Sequence, residues 1–291
     1  MAQPLSADRL VAALREEGLR VVEHRSWRTH NRNGKGPWGP MHGVVVHHTV
    51  SSGTMSSVDL CYDGYDELPG PLCHGVIVKD GTVYLVGNGR SNHAGLGDGD
   101  VLDAVIAERP LPEPNENDTD GNARFYGFEC VNLGDGKDPW PAAQLEAIEK
   151  ASAALCRAHG WTERSVIGHK EWTNTKNDPL GFTMASMRSR IGARLKRKPD
   201  GPLPNPPQGQ YEPFPGSDFF RAGRRSALIT AMGKRLVEEG CGRYEEGPGP
   251  EWTEADRTSY AAWQRKLGYS GSDADGIPGE TSWTKLKVPR S

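Results

Sequence analysis

The stretch "KRKPDGPLPNPPQGQYEPFPGS", Lys196 to Ser217, limits the fold more than any other part of the chain. Its prolines fix φ and remove backbone donors, and its remaining residues are mostly glycine and polar. Such a segment supplies neither a helix interior nor a core, and reads as an extended linker. It therefore divides the 291 residues into an N-terminal domain, residues 1–198, a linker, 199–216, and a C-terminal module, 217–291.

The N-terminal domain alternates strand and helix signals. "HGVVVHHT" reads as a strand, and "HGVIVKDGTVYLVG" as two strands turned at Asp80-Gly81. "YGFECVNLG" and "SVIGH" are further short strands. "PAAQLEAIEKASAALCRAHG" is a helix with Pro141 near its first turn and Gly160 as terminator, and "FTMASMRSRIGARLKRK" is a second. A short helix near the N-terminus has Ser6 as N-cap and Gly18 as stop. This pattern predicts an α/β fold, a mixed central β-sheet flanked by helices. In the module, "SDFFRAGRRSALITAMGKRLVEEG" and "TEADRTSYAAWQRKLG" carry helical periodicity, and "DADGIPGETSWTKL" reads as a turn and a short helix. A small three-helix bundle is the simplest arrangement.

A net charge of −3 gives no basis for a nucleic-acid partner, and no apolar run approaches a membrane span. The first residues lack the basic-then-apolar pattern of a secretory signal peptide. The five cysteines are odd in number and include no CxxC, which argues against a disulfide framework and a four-cysteine zinc site. Buried free thiols are the ordinary reading, with a Cys61–Cys73 bridge as the alternative. All nine histidines lie at or before His169, so imidazole chemistry belongs to the first domain.

Two strands end in histidine. Side chains alternate along a strand, so His47 and His48 face opposite sides and only one can serve a given site. His169 ends the second such strand, and Asp178 follows nine residues later beside Pro179. Two histidines and a carboxylate leave the fourth position of a tetrahedral zinc open, as in a catalytic site. Taken alone, Asp178 reads equally as a turn residue before proline. Glu129 shares a strand face with Gly127 and Val131, where a carboxylate is costly unless paired or near a metal.

In order, "VVVHHT", "HGVIVKDGTVY", "NHAG", "YGFECVN" and "IGHKEW…TKNDPLGF" resemble the zinc-dependent N-acetylmuramoyl-L-alanine amidases of the type-2 and peptidoglycan-recognition superfamily, from about residue 40 to about 195. The resemblance implies zinc (Zn2+) held by His47, His169 and Asp178, and hydrolysis of the amide between N-acetylmuramic acid and L-alanine in bacterial peptidoglycan. It implies Glu129 as general base, since Cys73 stands where some members carry a tyrosine. Lys176, two residues before Asp178, is the expected partner of the oxyanion, against the bland reading of a solvated loop lysine. His93 is expected to hold substrate, as are His74 and Asn132.

"DGIPGETSWTKL" resembles the turn and helix of a three-helix peptidoglycan-binding domain, on Asp275, Gly276, Gly279 and Trp283. Calcium does not fit there, because the terminal ligand position of an EF-hand loop falls on Thr284. Trp252, Trp263 and Trp283 read as core, or, if exposed, as stacking surfaces for glycan. Together these features imply a phage endolysin, held in the host cytoplasm until a holin releases it to the wall. The competing expectations are a non-catalytic peptidoglycan-recognition protein and a zinc peptidase acting on the stem or cross-bridge.

Overall fold

The structure, a computed structural model, describes residues 2–203 and 211–290. They divide into two compact units, with the main-chain break after Leu203.

The larger unit is built on a six-stranded sheet. Its strands are β1 (Val21–Glu23), β2 (Gly43–His48), β3 (Gly75–Ile77), β4 (Val83–Leu85), β7 (Phe125–Cys130) and β8 (Val166–Gly168), in the order β1-β4-β3-β7-β2-β8. A small ribbon pairs β5 (Leu96–Gly97) with β6 (Thr119–Asp120). In the large sheet only β3 and β4 are antiparallel, joined by the expected turn in which Asp80 Oδ1 accepts the Thr82 N–H and Gly81 has φ +87°. The other pairings are parallel, so the chain returns over the sheet through helices.

Strand alternation sorts the two faces. Val44 and Val46 of β2, Tyr126, Phe128 and Cys130 of β7, and Val166 of β8 join the cluster that includes residues of α1 (Ala7–Glu16), α4 (Ala142–His159) and α6 (Met184–Leu195). Val45, Phe125 and Ile167 point the other way, against Val101, Leu102 and Val105 of α3 (Gly99–Ile106) and Trp172 of α5 (His169–Trp172). His47 and Glu129 follow Val45 and Phe125 in the alternation and lie on this second face. The helix ends match their sequence signals. Ser6 caps α1 and accepts from Arg9 N, and Gly160 ends α4 in the left-handed region at φ 72°. α2 (Thr54–Asp63) and α3 were not marked by the sequence pattern; both are short, and α3 is started by Asp98 accepting the N–H groups of Asp100 and Val101.

In the smaller unit α7 (Ala227–Glu238), α8 (Glu254–Lys266) and α9 (Glu280–Leu286) enclose Ile229, Met232, Tyr260 and three tryptophans, giving the expected three-helix module. The helix expected from residue 217 starts only at Ala227. Gly223 takes φ +75°, and residues 224–226 instead pair with 250–252 through Trp252 N to Arg224 O and Ser226 N to Pro250 O. Described residues at both ends of the expected linker 199–216 make contacts within the units. Asp200 pairs with Arg194 and Lys150, and Gly201 N reaches Glu16 O, so these residues belong to the first unit. Tyr211 bridges Pro289 and Glu212 N reaches Val288 O, within the second unit. Of the expected linker, residues 204–210 lie outside the described residues.

Arg194 is 3% exposed and bonds Glu149 and Asp200, with Glu17 at 3.6 Å. Glu17 and Glu149 are themselves buried. Removing one partner of a buried ion network strands the others in a low-dielectric setting. Arg194→Ala is therefore expected to lower unfolding stability by about 3–5 kcal/mol in urea titrations; a loss below about 1 kcal/mol, the value of a surface pair, would contradict this.

Candidate metal centre

The parallel pairing of β2 with β7 and β8 brings the sequence-predicted residues to one end of the sheet. His47 lies in register with Glu129, and Val46 with Gly168, so His169 starts α5 directly beside His47. Asp178 returns on the loop after α5, held by Lys170 N donating to Asp178 O at 2.8 Å. Gly168 permits that return, since a Cβ there would lie 2.9 Å from Pro179 Cδ.

The result is a triangle of three buried atoms. His47 Nδ1 is 3.0 Å from His169 Nδ1 and 3.1 Å from Asp178 Oδ2, and His169 Nδ1 is 3.2 Å from the same oxygen. The other ring nitrogens explain how the imidazoles are held. His93 Nε2–H donates to Phe125 O at 3.0 Å, which leaves His93 Nδ1 as an acceptor. His47 Nε2–H donates to that acceptor at 3.1 Å, and so His47 Nδ1 carries a lone pair. His169 Nε2–H donates to Ala94 O at 3.3 Å, with the same consequence for its Nδ1. These tautomers are assigned from the hydrogen-bond network. Two lone pairs and a carboxylate oxygen converge with no proton to share between them. Four-coordinate zinc, with bonds of about 2.0–2.2 Å, separates its donors by about 3.3 Å, so the set fits a small divalent cation. The second hydrogen bond on each imidazole is the support such a ligand ordinarily has.

Asp98, Asp100 and Glu116 also bring carboxylates together. Asp98 already accepts four backbone N–H groups, from Asp100, Val101, Asn115 and Glu116, and so works as a cap.

Glu129 is half-buried, and its Oε2 is sealed from solvent with no hydrogen-bond partner among the described residues. Burial, with the Asp178 charge adding to it and Lys176 opposing, pushes its carboxyl up to about 8 in the ion-free protein. Lys176 is exposed and acts on Glu129 through its charge.

The residues expected to hold substrate have other engagements. His93 is buried behind His47. A Cβ at Gly127 would fall 2.4 Å from His93 Nδ1, so that strand position must be glycine for the ring to lie there. His74 is 1% exposed, accepts the Gly127 N–H, donates to Gly89 O and stacks on Trp38; it braces the sheet and presents no free ring nitrogen. Asn132 is also buried; its amide donates to Asp138 O and accepts from Gly134 N, within its own loop. In the second unit Asp275 Oδ1 accepts the Ile277 N–H, Gly276 packs against Arg257 O, Gly279 caps α9, and Trp283 donates to Glu212 O. Trp252, Trp263 and Trp283 are buried, so they form core and offer no stacking face.

The histidines make the ion-free protein sensitive to acid. Burial holds His47 and His74 down to about 4, His159 to about 4, and His93 well below its ordinary value. An unfolded histidine takes a proton near pH 6.5. The unfolded chain thus binds more protons than the folded one as pH falls from about 6.5 toward 4, and stability is lost across that window. Glu129 has the opposite sign, since its raised value favours the folded state at low pH, but it stands alone against these four and the lowered His42 and His48. The urea midpoint of chelator-treated protein should therefore be lower at pH 5 than at pH 7; an unchanged or higher midpoint at pH 5 would contradict the neutral, buried assignment.

Comparison with known proteins identifies one family. The family Amidase_2, described as N-acetylmuramoyl-L-alanine amidase, matches residues 37–181. No curated protein matches the chain. Among solved structures, similarity extends to the endolysin amidase LysCS from Clostridium intestinale URNW, at 20% identity over 60% of this chain and 96% of that one, with a TM-score of 0.41. The hydrolase AmiA of Staphylococcus aureus is 14% identical over 66% of this chain and 93% of its own, with a TM-score of 0.42. A drosophila peptidoglycan recognition protein, SD, is 13% identical over 64% and 99%, with a TM-score of 0.37. Over residues 37–181, which hold His47, Glu129, His169 and Asp178, the chain belongs to the type-2 N-acetylmuramoyl-L-alanine amidases.

Proposed function

We propose that the chain is a zinc-dependent endolysin of phage type that hydrolyses the amide joining the lactyl group of N-acetylmuramic acid to L-alanine in peptidoglycan. The observation that carries the reading is the convergence of His47 Nδ1, His169 Nδ1 and Asp178 Oδ2 within 3.2 Å, inside the family-matched residues. These three side chains would hold zinc. When bound, zinc supplies a Lewis acid for the scissile carbonyl and a lowered pKa for the attacking water.

The remaining steps belong to protein groups. Glu129 lies in register with His47 and takes the proton of the attacking water, then returns it to the departing amine of L-alanine. Burial is the main cause of its raised carboxyl and the Asp178 charge a smaller one; a cation on the donor triangle would offset the Asp178 part and so shift Glu129 toward its basic form. The exposed Lys176 ammonium stabilises the oxyanion of the tetrahedral intermediate. The second unit is a wall-binding module in this reading; tethering it to the amidase raises the local concentration of substrate.

Glu129→Gln should keep zinc at wild-type stoichiometry and lose about 10²–10⁴-fold in turnover, while Asp178→Ala should lose the metal by elemental analysis. Full activity in the first variant would remove Glu129 from the mechanism. Mass spectrometry of digested wall should show free lactyl groups and intact stem peptides beginning at L-alanine. Cut peptide bonds with surviving lactyl-alanine amides would make the enzyme a peptidase, and no products at all a recognition protein. A chain ending at Leu203 should hydrolyse soluble muropeptides as fast as the full chain and sediment less with purified sacculi; equal sedimentation would remove the binding role of the second unit.

A further inference from the structure

We infer that Asn122 is a positioning residue for the metal centre, because its single carboxamide oxygen holds the loop from which both metal-binding histidines take their second hydrogen bond. The inference rests on the metal reading above.

Asn122 Oδ1 accepts the backbone N–H groups of His93 at 2.9 Å, Ala94 at 2.9 Å and Gly95 at 3.2 Å. That loop supplies the two acceptors that fix the metal-facing imidazoles. One is the His93 ring, which receives His47 Nε2–H, and the other is the Ala94 carbonyl, which receives His169 Nε2–H. Both rings thus rest, on the side away from Asp178, against the same three-residue loop. Three successive N–H groups pointing at one atom make a small concave donor site, and an oxygen with two lone pairs and partial negative charge suits it. Asn122 is buried, so water does not readily replace that oxygen.

The surroundings keep the loop close. Gly121 N donates to Gly95 O at 2.8 Å, returning the contact from the same turn. A Cβ at Gly121 would lie 2.8 Å from Ala94 Cβ and 2.8 Å from Trp172 Nε1, so only glycine lets the loop and the tryptophan approach. Trp172 Nε1 also donates to Ala94 O at 3.1 Å, which leaves that carbonyl aimed at α5. Asn122 thus acts on the imidazoles through their acceptors, without touching ion or substrate.

The test is zinc affinity by chelator competition on the full chain. Asn122→Ala should bind zinc about 10–100-fold more weakly, the usual effect of losing support behind a ligand. Asn122→Asp keeps an acceptor for the three N–H groups and should restore affinity close to wild type. Cobalt provides a second readout, since the visible spectrum of the Co2+ form should change in the alanine variant and not in the aspartate one. A merely structural role predicts a lower melting temperature for the ion-free alanine variant with unchanged zinc affinity and cobalt spectrum among folded molecules; that outcome would overturn the inference. If the alanine variant does not fold, Asn122→Ser, too short to reach all three donors, is read in the same way. Failure of the wild-type chain to bind either ion would remove the metal reading and this inference together. Wild-type binding with unchanged affinity in the variants would remove this inference alone.

Discussion

Two buried imidazole nitrogens and a carboxylate oxygen lie within 3.2 Å of one another, each imidazole having its proton on the far side. Left to themselves, three acceptors at that distance repel and remain unsatisfied, which a protein interior does not tolerate cheaply. The rest of the first unit reads as the means of imposing that arrangement. Parallel pairing of β2 with β8 sets His47 beside the start of α5, and the loop after α5 brings Asp178 back. The 93–95 loop takes the outward protons of both rings. A cation bound there would relieve that repulsion, and in the proposed reading its binding would add to the stability of the fold.

The same sheet separates stability from chemistry. Its helix-covered side carries Val44, Val46, Tyr126 and Phe128 against α1, α4 and α6, and supplies the main core. The opposite side carries His47 and Glu129 beyond a smaller cluster around Trp172. On that side Glu129 keeps an oxygen sealed from solvent with no hydrogen-bond partner among the described residues, which costs stability. The Arg194 network ties α6 to α4 and to the residues past α6, on the core side of the sheet.

Much of this was legible in the sequence, because it follows from short-period rules. Alternation alone separates His47 from His48, and His48 instead accepts the Leu180 N–H at 3.3 Å. The same alternation puts Glu129 with Gly127. Proline and glycine marked the ends of α4 and the division of the chain. What escaped were relations carried by side chains across long separations. Asn122 gives no local signal, since its partners lie 27 to 29 residues away. His74, His93 and Asn132 could be seen as polar residues near the site, but whether their atoms were free or engaged depended on Gly89, Phe125 and Asp138, which no pattern linked to them. The helix expected at 217–226 failed because a positive-φ glycine and pairing with 250–252 override periodicity.

In the proposed centre His47 and His169 offer their Nδ1 atoms to one ion while their Nε2 atoms keep protons given to His93 and Ala94 O. Nitrogen-15 correlation spectra of histidine-labelled protein, taken while zinc is titrated, observe this directly. His47, His93 and His169 should all show the Nε2–H tautomer, and zinc should move the Nδ1 resonances of His47 and His169 while that of His93 keeps its hydrogen-bonded character. Zinc binding through Nε2 of either residue, or no response at His169, would contradict it.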